Sequence, residues 1–76
     1  MGTNYVYYAT INGYKIYFCR DTGIIRFKKN NVVVDVSKKT FSILDVDTEI
    51  PAKTISEIKL ILKCGKELIS KRWEEN

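Results

Sequence analysis

The segment TINGYKIYF, residues 10–18, contains the clearest structural signal in this chain. Asn12-Gly13 favours a two-residue hairpin turn because both residue types tolerate positive φ angles. On each side of the turn, apolar or aromatic residues alternate with other residues, as they do in half-buried strands. The segment therefore predicts an antiparallel hairpin in which Ile11 pairs with Tyr14.

Further turn signals continue the pattern beyond this hairpin. They are RDTG at 20–23, NN at 30–31 and SKKT at 37–40, and they separate runs rich in Val, Ile, Tyr and Phe. Such runs predict strands at roughly 4–11, 14–19, 24–29, 32–36 and 41–45. Because the connections are short, neighbouring strands should be antiparallel. The expected sheet is a β-meander of four to five strands.

The C-terminal part of the chain has the periodicity of an amphipathic helix at about 53–74. Its apolar arc spans roughly 140° at about 100° per residue. The arc contains Ile55, Ile58, Ile61, Leu62, Gly65, Leu68, Ile69 and Trp73. Thr54 and Glu57 fit a capping box, whereas Pro51 offers an alternative start in the first turn. Gly65 is compatible with either a continuous helix or a kink, and the length of the helix predicts that Trp73 extends past the sheet.

Together these elements predict one small α+β domain over residues 1–76, with the C-terminal helix packed on one face of the meander. The sheet should occupy about 4–45, an acidic link 45–52 and the helix about 53–74. Asp45, Asp47 and Glu49 in the link do not match a calcium loop, because Ile50 and Ser56 replace the required Gly and Glu. Their predicted role is to complement the helix dipole.

The composition excludes several functional classes. The chain has no His, which removes the commonest general base and the commonest metal ligand. Cys19 and Cys64 are too few for a zinc site, and the four Gly form no phosphate-binding loop. We therefore expect a non-enzymatic protein without cofactor or metal. Reduced thiols in a cytoplasmic protein are expected, and no apolar run approaches the roughly 20 residues of a membrane span.

Strand alternation divides the predicted sheet into two faces. The expected core face is apolar or aromatic throughout: Tyr5, Tyr7, Ala9, Ile11, Tyr14, Ile16, Phe18, Ile25, Phe27, Val32, Val34, Val36, Phe41 and Ile43. The other face is mixed, and it is the candidate partner-binding surface. Its candidate residues are Val6, Tyr8, Lys15, Tyr17, Ile24, Arg26, Lys28, Val33 and Leu44. An uninterrupted register from the first turn places Tyr8 opposite Tyr17.

The apolar residues on this mixed face favour a protein interface, because contiguous exposed apolar patches usually mark one. The partner would be another protein or a second copy of the chain. The favoured function is a small protein-binding module acting through the open sheet face. An inhibitor of a host protein encoded by a phage or mobile element suits the small size and a composition rich in Ile, Lys and Asn.

The alternative function is single-stranded nucleic-acid binding. Tyrosines interleaved with Lys15, Arg26 and Lys28 can stack bases and neutralise phosphates, and the net charge is +4. Lys59, Lys63 and Lys66 form one helical stripe and are candidate phosphate contacts. Ordinary solvent-facing strand residues and a solvated helix face would produce the same patterns, so the sequence leaves both functions open.

Overall fold

A computed structural model describes residues 4–44 and 50–75 of the chain. It consists of β1 (Tyr5–Ile11), β2 (Tyr14–Cys19), β3 (Ile24–Lys29), β4 (Val32–Ser37), β5 (Ile43–Leu44) and α1 (Ala52–Glu74). The five strands form one antiparallel sheet in the order β1-β2-β3-β4-β5. The predicted α+β meander with a C-terminal helix is confirmed. The acidic link residues 45–49 lie outside the described residues.

The tight turns form where the sequence predicts them. Asn12 and Gly13 have φ angles of 52° and 82°, and Ile11 pairs with Tyr14. These two positive φ angles match the right-handed twist of the flanking strands. The later turns leave the predicted register of β2, β3 and β4 intact, so their inner and outer residues alternate as expected.

The predicted register of β1 is wrong in its first half, because a β-bulge interrupts the strand. Tyr7 pairs with Tyr17 and Ala9 pairs with Ile16, so Tyr8 is the extra residue. A bulge shifts the side-chain alternation by one position. Val6 therefore shares the face of its partner Phe18 instead of the outer face.

Tyr8 also lies on the inner side, where its ring stacks on Phe18 with centroids 4.8 Å apart. Tyr5 and Tyr7, predicted to be core residues, share the outer face with their partners Cys19 and Tyr17. The bulge thus exchanges the first two residues of each predicted face.

The connection between β4 and β5 is longer than predicted. Phe41 has a φ of 55° and its N–H donates to the carbonyl of Ser37 at 2.7 Å, so it belongs to the turn. Val36 pairs with Ile43, two positions later than the predicted register. Because the shift is even, Ile43 and Leu44 keep their predicted faces.

The hydrophobic core lies between the inner face of the sheet and α1. Its buried members are Tyr14, Ile16, Phe18, Ile25, Phe27, Val34, Val36, Ile58, Ile61, Leu62 and Ile69. Leu68, which is at the margin of the predicted apolar arc, is 66% exposed. The buried arc is therefore narrower than the apolar pattern of the sequence.

Both ends of α1 differ from the prediction. The N-cap is Pro51, with no side-chain capping bond, so the Thr54 capping box does not form. Glu57 instead accepts a 2.6 Å hydrogen bond from the hydroxyl of Tyr14. At the other end, Trp73 packs against Phe18 with ring centroids 5.1 Å apart, rather than extending past the sheet.

Gly65 lies within a continuous helix, and a methyl group should be tolerated there. A Cβ at this position would meet only the Cδ1 of Ile69, at an ordinary 3.8 Å. Since glycine costs about 1 kcal/mol relative to alanine in a helix, Gly65→Ala should raise the free energy of unfolding by up to about 1 kcal/mol. Urea denaturation checks this. A lower free energy of unfolding would show that the helix does not tolerate a methyl group at this position.

Tyr14 should make stability sensitive to alkaline pH. Burial and the hydrogen bond to Glu57 raise its pKa. A raised pKa means that the folded state keeps the phenol proton longer, so this stabilisation is complete below the ordinary tyrosine pKa of about 10 and is lost as pH rises through the shifted pKa. Urea denaturation across this window should show a steeper fall in the wild type than in Tyr14→Phe. Equal slopes would contradict the assignment.

Candidate functional site

The outer face is the side of the sheet opposite α1, and cross-strand pairing arranges it in three rows. The central row crosses all five strands, and the two flanking rows lie toward opposite ends of the sheet. The central row is Tyr7, Tyr17, Arg26, Asp35 and Leu44; one flanking row is Thr10, Lys15, Lys28 and Val33; the other is Tyr5, Cys19, Ile24 and Ser37.

Seven of the nine candidate partner-binding residues lie in these rows. They are Lys15, Tyr17, Ile24, Arg26, Lys28, Val33 and Leu44. Val6 and Tyr8 do not, because the bulge turns them to the inner side. Tyr5 and Tyr7 take their place. In the segment Tyr-Val-Tyr-Tyr, residues 5–8, tyrosines occupy both odd and even positions. The alternation of residue types therefore gave no signal for this exchange.

Two tyrosines form an aromatic pair at the β1 end of the central row. The rings of Tyr7 and Tyr17 meet edge to face, with centroids 5.8 Å apart and planes at 68°. The Tyr7 hydroxyl shares a 2.6 Å hydrogen bond with the hydroxyl of Thr10. Tyr7 is nevertheless 54% exposed. The pair is therefore an accessible aromatic surface. The ring contact with Tyr17 and the hydrogen bond to Thr10 both hold Tyr7 in place.

The middle of the central row is a neutralised ion pair. Arg26 donates from Nε and Nη2 to the two carboxylate oxygens of Asp35, at 2.8 and 3.0 Å. The carboxylate raises the pKa of Arg26. The guanidinium carbon also lies 4.5 Å from the ring centroid of Tyr5, a contact that crosses β2. Arg26 is thus held in place rather than offered as an unpaired cation, which the sequence pattern did not reveal.

A positive end of the outer face is formed by two opposed lysines. Lys15 on β2 is directly opposite Lys28 on β3, an arrangement that destabilises a sheet through like-charge repulsion. Within residues 4–44 and 50–75, no carboxylate pairs with either lysine. The two side chains border a shallow hollow of about 560 Å³ together with Gly13, Tyr17, Lys29 and Asn30. An acidic group placed there would relieve the repulsion.

The candidate phosphate contacts on α1 form a separate surface. Lys59, Lys63 and Lys66 border a hollow of about 190 Å³ with Phe41 and Leu62, on the inner side of the sheet. The ammonium of Lys66 lies 5.4 Å from the centroid of the Phe41 ring. These lysines therefore do not join Lys15 and Lys28 in one basic patch.

The cysteines and carboxylates of the described ranges form no group of three or more metal-ligating residues. Cys19 is buried and accepts a hydrogen bond from the Thr22 hydroxyl at 3.0 Å, whereas Cys64 is exposed on α1. Both are free thiols. Among the described residues, no helix combines the length and the apolar character needed to cross a membrane.

The chain matches no protein-family model, no curated protein and no solved structure. The geometry of the outer face is therefore the basis for a functional proposal.

Proposed function

We propose that this protein is a small non-enzymatic binding module whose outer face docks on an acidic surface of another protein. The observation that carries the proposal is the central row, which presents Tyr7 and Tyr17 on a face that α1 does not cover, next to the opposed Lys15 and Lys28.

The central row has the properties of the core of a protein interface. Large aromatic side chains and arginine dominate the binding energy of such interfaces, and aromatic anchors lose little conformational entropy when they are already held. The bond to Thr10 and the contact with Tyr17 restrain Tyr7. Arg26 and Asp35 satisfy each other, so a partner can cover them without leaving an unpaired charge.

The charge of the face favours an acidic partner over a second copy of the chain. A second copy docked face to face would bring another Lys15 and Lys28 close to the two lysines that already repel each other. A carboxylate from a different protein would instead pair with both lysines. Complementary charge of this kind raises the association rate and selects the partner.

Occupying a partner's surface requires no catalytic group, so inhibition of a host protein is the role that we propose for the docked state. A phage or mobile element is the source that we propose from the composition rich in Ile, Lys and Asn, and the cytoplasm is the compartment that fits the exposed thiol of Cys64.

Single-stranded nucleic acid is the second candidate partner, favoured by one observation. Lys15, Lys28 and Tyr17 border the same hollow, where a phosphate would relieve the lysine repulsion while a base contacted the ring. Two features give this function less support. Arg26 is already engaged by Asp35, and the edge-to-face tyrosine pair does not offer two parallel stacking platforms.

A paired capture experiment tests the proposal. Wild-type protein and the Tyr7→Ala/Tyr17→Ala variant are immobilised and exposed to bacterial lysate, with and without nuclease. We expect an acidic protein that the wild type retains after nuclease treatment and that the variant does not retain. Retention that disappears with nuclease would favour the nucleic-acid function. Equal retention by both proteins would place the binding site elsewhere.

A further inference from the structure

One side of α1 has a stripe of residues that lie outside the hydrophobic core. At about 100° per residue, seven positions fall within an arc of about 80°. They are Lys53, Glu57, Leu60, Cys64, Leu68, Lys71 and Glu75, the last at the helical C-cap. Leu60 and Leu68 are 58% and 66% exposed, the largest values among the exposed large apolar residues of the described ranges. The stripe therefore has an apolar centre in water.

The stripe is complementary to itself about Cys64. Leu60 and Leu68 lie four residues before and after Cys64. Consider an antiparallel pair of α1 helices related by a two-fold axis at Cys64. Each residue then faces the residue of the second copy that lies at the same distance from Cys64 but on its other side in the sequence. Leu60 then meets Leu68 of the second copy, and the two Cys64 side chains meet at the axis.

The charged positions of the stripe follow the same symmetry. Glu57 and Lys71 lie seven residues from Cys64, and Lys53 and Glu75 lie eleven residues from it. Each carboxylate would therefore face a lysine of the second copy. The hydrogen bond from Tyr14 engages Oε1 of Glu57 and leaves the other oxygen for such a pair. Spacings of three and four residues are those of helices that pack side by side along their length.

We propose that α1 is a homodimerisation surface, in which two copies pack their stripes antiparallel with Cys64 on the two-fold axis. A two-fold interface uses the same patch on both subunits, so the patch must match its own rotated copy. This stripe does so in both its apolar and its charged positions. On the opposite flank of α1, Lys59, Lys63 and Lys66 are all cations, so this group of three is not complementary to its own rotated copy.

The proposal is independent of the function proposed above. The stripe lies on α1, and the outer face lies on the other side of the sheet. A dimer formed through α1 therefore leaves two outer faces uncovered, pointing away from the axis. Two linked faces can bind a multivalent partner more tightly than one face alone.

Sedimentation velocity of the full chain over about 10 µM to 1 mM tests the dimer and its surface. We expect a monomer–dimer equilibrium whose dissociation constant rises about tenfold or more for each of Leu60→Ser and Leu68→Ser. Both residues are exposed in the monomer, so folding should be preserved. A chain that remains monomeric at the highest concentration, or a dimer insensitive to both variants, would overturn the proposal.

A charge exchange separates this interface from general electrostatics. Lys53→Glu reduces the net positive charge, which alone would strengthen association of copies that each have a charge of +4. At the proposed interface it places a carboxylate opposite Glu75 of the second copy, so we expect weaker association and recovery in Lys53→Glu/Glu75→Lys. Lys63→Glu on the opposite flank is the matched control and should not weaken the dimer. Equal effects of Lys53→Glu and Lys63→Glu would contradict the pairing.

The thiol at the axis gives an independent readout. Cys64 is exposed and Cys19 is buried, so a short bis-maleimide should join two copies through Cys64. The control is the double variant Cys64→Ser/Lys63→Cys, which moves the exposed thiol one position around the helix, away from the stripe. We expect cross-linking of the wild type to be about tenfold faster than that of the control. Equal rates would show that the thiols meet only by random collision.

Discussion

Phe18→Ala should remove a large part of the stability of this protein. Phe18 is 1% exposed, and its ring packs against both Tyr8 of the bulge and Trp73 near the end of α1. Removing a buried Phe side chain typically costs about 3–5 kcal/mol. At about 0.05–0.15 kcal/mol per residue, a chain of 76 residues has a total stability of roughly 4–11 kcal/mol. The variant should therefore be partly or wholly unfolded at 37 °C.

Urea denaturation followed by circular dichroism measures this loss, and Tyr7→Ala is its matched control. Tyr7 is an aromatic residue of similar size on the opposite side of the same sheet, with 54% of its surface exposed. We expect its replacement to cost about 1 kcal/mol or less. Similar losses in the free energy of unfolding for the two variants would contradict the role of Phe18 as the packing contact between the bulge and α1.

The second large effect concerns binding to the acidic partner proposed above. Tyr7→Ala/Tyr17→Ala should raise the dissociation constant by about a hundredfold or more, because central aromatic residues of an interface typically contribute about 2 kcal/mol or more each. Lys15→Ala/Lys28→Ala should instead act mainly on the association rate and remove much of its salt dependence. Surface plasmon resonance at several salt concentrations distinguishes the two effects.

Two further measurements separate a loss of binding from unfolding and protein docking from nucleic-acid binding. Removal of the opposed Lys15 and Lys28 relieves a like-charge contact, so the lysine variant should be at least as stable as the wild type, and weaker binding cannot then be attributed to unfolding. An oligonucleotide titration covers the second candidate. Sub-micromolar, salt-dependent binding of single-stranded nucleic acid by the wild type would replace the protein-docking function.

Much of the fold is encoded locally and could be predicted. Asn12-Gly13 sets a turn through its own backbone preferences, and the turn sets the pairing of Ile11 with Tyr14. The alternation in β2, β3 and β4 assigns their faces because nothing interrupts it. The helical periodicity of residues 53–74 likewise locates α1 to within one residue at its start.

The candidate site was predicted only in part, because its aromatic residues depend on distant contacts. Alternation placed Lys15, Tyr17, Arg26 and Lys28 on the outer face correctly. The pairing of Arg26 with Asp35 follows from the β3–β4 register, but its two hydrogen bonds depend on side-chain rotamers that alternation does not specify.

The position of the bulge was settled by packing between parts of the chain that are far apart in sequence. Residues 5–8 have tyrosines at both odd and even positions, so alternation alone does not determine which tyrosine turns inward. In the folded chain Tyr8 stacks on Phe18, and Trp73 packs on the same ring. The bulge leaves one backbone position of β1 unpaired. Burial of the Tyr8 ring against the core offsets this cost, and that burial exists only when the sheet and α1 have come together.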